Sequence, residues 1–205
     1  MNGLHRFYIV AATVGLVVGL SCAPQKAGGA GLPDDSYFQL ELALETREGE
    51  SLRLSEVHDG PLIVAMFYAS CPQVCPMIIS TIRAVENQLL PEAREHLHIL
   101  MITLDPERDT RVALIELAER HRVDNRRWRF ARTAPADVRL IAAVLDVKYR
   151  QLPDGGFNHS SPILLLDGEG REISRSEKLG VPDPVFVQKV ATTIRELAAN
   201  NSYLP

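Results

Sequence analysis

A chain of 205 residues and 22.7 kDa has room for one domain plus an appendage, and it can bury a full core without disulfide staples. Its 46% hydrophobic and 23% charged residues exclude wholesale disorder, and three cysteines are too few for a disulfide scaffold. A formal charge of −4, from 22 basic and 26 acidic side chains, argues against nucleic acid as a partner, because nucleic-acid binders concentrate positive charge on one surface.

The first 22 residues differ in kind from the rest. Arg6 is the only formally charged side chain before Cys22, and Phe7 to Leu20 is an unbroken run of apolar, Gly and Thr residues. At 1.5 Å per residue that run covers about 21 Å, short of the roughly 30 Å hydrocarbon core of a bilayer. A basic start and a short apolar stretch predict a secretory signal over residues 1–21. The segment Gly19-Leu20-Ser21-Cys22 resembles a bacterial lipoprotein cleavage box, which makes Cys22 a lipidation site; an uncleaved signal anchor with an incidental cysteine is the alternative. Both readings place the body on the periplasmic or extracytoplasmic face of the membrane, held there by its N-terminus. Residues 22–36, rich in Gly and Pro, read as a flexible tether, and 37–205 as the folded domain.

Within that domain Phe38 to Leu42 and Ser51 to Leu54 alternate at period two around Glu48-Gly49-Glu50, predicting a β-hairpin. Leu62 to Tyr68 is a continuous apolar run, the pattern of a strand covered on both faces. Ile78, Ile79, Ile82, Val85 and Leu89 follow helical spacing behind Pro76, and Pro91 closes that helix. Leu97 to Leu104 is a second buried strand; Asp109 or Thr110 caps the helix after it, which reaches about Arg122. Arg127 to Thr133, Pro135 to Leu145 and Val147 to Leu152 read as strand, helix and strand. Ile163 to Leu166 and Glu172 to Arg175 form a hairpin across Asp167-Gly168-Glu169-Gly170, and a final helix covers roughly Pro184 to Ala199. The order predicts an α/β domain that resembles a thioredoxin fold with an N-terminal β-hairpin and a central β-α-β insertion.

Cys71-Pro72-Gln73-Val74-Cys75-Pro76 stands where the first core strand gives way to the first helix. A spacing of four at that junction brings both sulfurs to one side of the chain, where helix N–H groups and the positive end of the dipole favour thiolate, the nucleophilic and metal-binding form. Two inert buried cysteines are the bland alternative. The spacing departs from C-x-x-C of thioredoxin-type oxidoreductases, and no peroxiredoxin or glutathione-peroxidase pattern precedes either cysteine.

The C-x-x-x-C-P motif resembles that of the Sco/SenC copper chaperones. The likeness extends to Ile102-Thr103-Leu104-Asp105-Pro106-Glu107-Arg108-Asp109-Thr110 and to His159-Ser160-Ser161 with the apolar strand behind it, covering roughly Phe38 to Leu197. Ala69-Ser70 and Pro162 depart from the family's usual residues. The resemblance implies metal ligation by Cys71, Cys75 and His159, a soft set suited to Cu(I) and able to hold Cu(II) when a further donor joins. His159 lies 84 residues beyond Cys75, so only the fold can unite them. Asp105 is the candidate to orient a ligand's second nitrogen, or else a cap for the turn at Pro106. Tyr68 walls the pocket or is simply buried; Met77 reads as helix core. The implied partners are the copper-bearing subunit of cytochrome c oxidase and a periplasmic copper donor or thiol reductant. The competing function is a thiol-disulfide oxidoreductase that uses Cys71 and Cys75 as a redox pair, closes them into a disulfide when oxidised, and carries no metal.

Overall fold

The computed structural model describes residues 31–57 and 60–201. The signal, Cys22 and most of the tether lie outside the described residues, as does His58.

The central sheet is built from β1 (Leu44–Thr46), β2 (Ser51–Leu52), β3 (Leu62–Phe67), β4 (His98–Thr103), β5 (Trp128–Arg132), β8 (Ile163–Leu166) and β9 (Glu172–Ser176). Their spatial order is β2-β1-β5-β4-β3-β8-β9. β3, β4 and β5 run parallel, and β8 lies antiparallel beside β3, with Val64 opposite Leu164. Every residue of β3 is buried because the sheet is covered on both faces. Ile63, Ala65 and Phe67 point to one side, where α1 (Val74–Asn87), α3 (Arg111–His121) and α5 (Pro184–Asn201) pack. Leu62, Val64 and Met66 point to the other, against α4 (Val138–Val144) and the N-terminal segment. An alternation that is apolar at both phases therefore specifies a middle layer. Each of the large side chains so buried contributes roughly 1.5–3 kcal/mol of transfer free energy.

Helix α1 presents Ile78, Ile79, Ile82 and Val85 to the sheet. Pro76, third in the helix, costs no hydrogen bond, because the first N–H groups of a helix have no partner within it. Pro91 does not simply end α1: it opens a separate single turn, α2 (Pro91–Arg94). Thr110 caps α3, its hydroxyl accepting from the Ala113 N–H at 3.3 Å, which leaves the neighbouring Asp109 free for another task.

Two expected strands are placed differently. Residues Tyr37–Gln39 form a 3-10 turn capped by Ser36, whose hydroxyl accepts from the Phe38 N–H and donates to the Glu169 carbonyl. The hairpin partner of Ser51–Leu52 is accordingly Leu44–Thr46, and it joins the sheet through β5. Ser36, assigned to the tether, is already buried in the fold. Of the expected β-α-β unit, β5 belongs to the main sheet. The following strand, β6 (Tyr149–Gln151), pairs instead with β7 (Phe157–His159) in a separate two-stranded hairpin. Gly155 turns that hairpin at φ +84°, a conformation that disfavours a side chain, and a Cβ there would collide with the Arg108 guanidinium at 2.9 Å. Among the described residues no helix is long and apolar enough to cross a membrane.

Candidate functional site

The parallel strands β3 and β4 end together, and the site is built on the loops that leave them. Tyr68, the residue after β3, points its N–H at the Cys75 sulfur at 3.4 Å, while its carbonyl accepts from the Cys71 N–H at 3.1 Å. The Cys75 N–H reaches the Cys71 sulfur at 3.4 Å. Strand end, tight turn and first helical turn thus hold both thiols, unbridged, on one side of the chain.

The two thiols differ in electrostatic setting. Cys75 lies 1% exposed beneath the start of α1, and burial pushes its thiol well above the ordinary range; the Tyr68 N–H offsets this only in part, and the Cys71 charge adds to the rise. For Cys71 burial acts in the same upward direction, but the N–H groups of Cys75 and Gln73, with the Cys75 thiol and the Tyr68 hydroxyl, outweigh it and hold the thiol below its usual value. One sulfur is thus the more easily ionised, suited to act as nucleophile or first ligand, and the other keeps its proton until a partner arrives.

Asp109 supports this loop from below. Its Oδ2 accepts from the Ala69 N–H at 2.8 Å and from the Thr103 hydroxyl, tying the cysteine loop to the end of β4. The side chain is 2% exposed, and burial raises its pKa. In the sequence Asp109 stands out as a possible helix cap and as part of the segment shared with the Sco/SenC proteins, neither of which marks it as the support of the cysteine loop. Asp105 does not reach the imidazole: its carboxylate is taken by Arg108, and its N–H donates to the Thr103 hydroxyl at 2.9 Å. The expected orienting role passes to a backbone carbonyl, as follows.

His159 closes β7, opposite Tyr149. Its Nδ1 lies 2.8 Å from the Ser160 carbonyl and 3.3 Å from the Ser161 hydroxyl. A carbonyl only accepts, so Nδ1 carries the proton and Nε2 presents a lone pair. Burial pushes the imidazole's pKa down, against the Ser160 contact, which favours this neutral form. Nε2 is buried and has no hydrogen-bond partner. An unsatisfied buried acceptor costs about 1–3 kcal/mol, and a metal ion is one group that would satisfy it. The donor chemistry therefore fits a soft metal: two sulfurs, one of them easily ionised, and a neutral imidazole with its outer nitrogen fixed.

The three groups are nevertheless not yet one cluster. Among the described residues no three His, Cys, Asp or Glu side chains are gathered closely enough to hold a metal ion. The thiols are together, and His159 stands at the same end of the sheet with the Tyr68 ring against it, centroids 5.8 Å apart and steeply inclined. Tyr68 also meets the Phe157 ring at 5.3 Å, and its hydroxyl donates to the Phe157 carbonyl at 3.4 Å. From the other side Arg108 holds the hairpin by donating to the Gly155 carbonyl and by lying over the Phe157 ring at 5.9 Å. No sequence signal marked Arg108. Met77, expected in the core, is 41% exposed beside Gly180.

The comparisons with known proteins agree with this architecture. The sequence model of the SCO1/SenC family matches residues 33–195. A curated relative from Stutzerimonas stutzeri, named as a candidate copper-binding protein, is 44% identical over 43 residues, so the match spans 21% of this chain and only 21% of that protein's length. A SCO1/SenC family lipoprotein from Bacillus anthracis superposes with a TM-score of 0.65 at 14% identity, covering 76% of this chain and 92% of the other. ScoI of Bradyrhizobium japonicum, solved with copper bound, gives 0.62 at 21% identity, covering 76% and 96%. At such identities the structures establish the fold, which is the thioredoxin-like α/β arrangement, while the family match over most of the folded body establishes kinship: this chain belongs to the SCO1/SenC family.

Proposed function

We propose that the protein is a copper-carrying chaperone, tethered at the extracytoplasmic face of a membrane by lipid on Cys22 or by an uncleaved anchor. Copper is its cargo, held by Cys71, Cys75 and His159 and passed to the binuclear copper site of cytochrome c oxidase. The observation that carries this reading is the His159 Nε2: a neutral imidazole with a buried lone pair and no partner, standing at the thiol end of the sheet. The copper named for the Stutzerimonas and Bradyrhizobium proteins supports the choice of metal. A tether supports delivery by keeping the domain near a membrane-embedded recipient at high effective concentration. Transfer then needs no free ion, because a recipient with a better ligand set can take the metal by exchanging one ligand at a time.

Titrating the reduced protein with Cu(I) against a chelator of known affinity tests the site. One equivalent should bind, and Cys71→Ala or Cys75→Ala should abolish it; unchanged affinity in either variant overturns the assignment. A second reading rests on the unequal thiols. A depressed Cys71 beside a buried Cys75 also suits thiol-disulfide exchange. Cys71 would attack a recipient's disulfide, and Cys75 would then release the reduced recipient. The two sulfurs end as a disulfide, and the recipient's cysteines gain the two electrons and two protons. Oxidation removes both thiolates, so copper loading and the disulfide exclude each other. The readings part at His159: a His159→Ala strain that still matures its oxidase favours the reductant, and one that fails favours the copper carrier.

A further inference from the structure

The segment Ile102 to Thr110 supplies no metal ligand, yet it is one of the three stretches that resemble the Sco/SenC proteins. Its place in the fold shows what it does. The ladder between β3 and β4 runs one bond past the strands, the Leu104 N–H donating to the Phe67 carbonyl at 2.7 Å. Beyond that bond the two chains part: one enters the cysteine loop, and the other turns at Asp105 toward α3. Asp109 rejoins them. Its Oδ2 accepts from the N–H of Ala69, two residues before Cys71, at 2.8 Å, and from the hydroxyl of Thr103, the last residue of β4. Thr103 is fully buried, and the Asp109 N–H is itself held by the Asp105 carbonyl at 2.8 Å. The carboxylate is not engaged elsewhere, since Thr110 caps α3 and Arg108 pairs with Asp105.

We propose that Asp109 is a positioning residue for the thiol pair: its carboxylate oxygen fixes where the cysteine loop leaves β3, and so where Cys71 is presented beside Cys75. The proposal rests on the copper reading above and deepens it by naming what holds that site ready. A loop ordered before the metal arrives need not be ordered by it, so the tie adds to affinity without touching the ion. Cys75 rides on α1 and is held by the helix, whereas Cys71 lies in the loop, which the Ala69 contact ties across to the end of β4. Loss of the acceptor therefore loosens Cys71 and leaves Cys75 in place. Ordering one backbone residue corresponds to about five- to thirtyfold in an equilibrium constant. A carboxylate that only kept the fold together would change the folded fraction and leave the affinity of the folded protein as it was.

Two variants at this position separate the readings. Asp109→Asn keeps an acceptor oxygen in place, and Asp109→Leu fills similar space with none. In Cu(I) titrations of the reduced, folded proteins against a competing chelator, Asp109→Leu should bind about tenfold more weakly than wild type and Asp109→Asn within about twofold of it. In the metal-free proteins, hydrogen exchange of the Ala69 and Cys71 amides should quicken in Asp109→Leu and not in Asp109→Asn, with the 149–159 amides unchanged in both. Wild-type affinity in Asp109→Leu overturns the proposal. So does a loss in Asp109→Asn as large as that in Asp109→Leu, because the charge and not the placed oxygen would then be what counts. If Asp109→Leu does not fold, Thr103→Val decides, since it cuts the tie to β4 and keeps Asp109 on the Ala69 N–H. Cu(I) binding should then weaken by about threefold, and unchanged binding overturns the assignment. Failure of the copper reading looks different: wild type would take up no Cu(I), while exchange at Ala69 would still part the two Asp109 variants.

Discussion

The cysteine loop and the histidine hairpin meet at one end of the same sheet, yet they are built to different standards. The loop grows out of β3, a strand paired on both sides, and runs straight into α1; Asp109 fastens it to β4. The hairpin of β6 and β7 has three residues per strand and pairs only with itself. Its ties to the body are a phenol, a guanidinium and ring contacts. The loop can thus hold two donors at fixed positions, whereas the third donor is mounted on an arm whose local opening costs little. On the copper reading proposed above, the rigid pair would keep the metal and the imidazole on the arm would be the ligand to let go.

The contrast is sharpest in stability. Phe67 is fully buried and packs edge-on against Phe130 at 5.6 Å, so Phe67→Ala should cost about 3–5 kcal/mol in urea unfolding of the reduced protein. Phe157→Ala, on the half-buried hairpin, should cost about 1 kcal/mol. Equal losses would mean that the hairpin is part of the cooperative core and no arm at all. Affinity follows the same ranking. Removing one of two thiolates leaves too few soft donors to hold the ion, so Cys75→Ala should abolish Cu(I) binding, as in the titration above. His159→Ala should weaken it by only about tenfold, because part of what the imidazole contributes is spent in moving its strand. A histidine loss as large as the cysteine loss would show that the arm is already in place.

The same division explains what could be seen in advance. The two-faced apolar run of β3, the helical spacing on α1 and the cysteines at their junction are local patterns, and each is where the sequence put it. His159 was legible through its motif, but its strand was not: Phe157-Asn158-His159 has no periodicity, and only pairing with Tyr149–Gln151 extends it. The alternation of Phe38 to Leu42 imitates a strand because nothing in it reveals that Ser36 will cap a 3-10 turn. Asp105 and Asp109 sit four residues apart in one loop, and which carboxylate turns under the cysteines depends on Arg108 capturing the other. Met77 is in helical phase with the buried Thr81 and Val85, which is why it reads as core, yet it lies 41% exposed beside Gly180.

Protons give a finer probe of the pair against the arm. His159 is depressed and so unprotonated at neutral pH; Cys71 is depressed and Cys75 raised, so Cys71 ionises before Cys75, which holds its proton longest. Cu(I) loading should therefore release at least the Cys75 proton, and affinity should rise with pH. The dependence should flatten only above the raised Cys75 value, where no proton is left to displace. It should steepen in acid as Cys71 and His159 are protonated in turn. Calorimetry in two buffers of different ionisation enthalpy counts the protons; a count that falls from two to none in a single step as pH rises would show that the thiols are equivalent and that the loop does not distinguish them.

The smallest expected effect falls on the arm alone. Arg108 donates to the Gly155 carbonyl and lies over Phe157, but its side chain is about half exposed, where water competes for the same contacts. Arg108→Ala should speed hydrogen exchange of the 149–159 amides by about twofold, the low end for a hydrogen bond, and leave exchange in β3 and β4 untouched. The side chain also holds Asp105, so a change that spread to the cysteine loop would trace through that carboxylate to the end of β4. Exchange that quickens in both regions together would couple arm and loop into one unit, and the histidine would then move only when the thiols do.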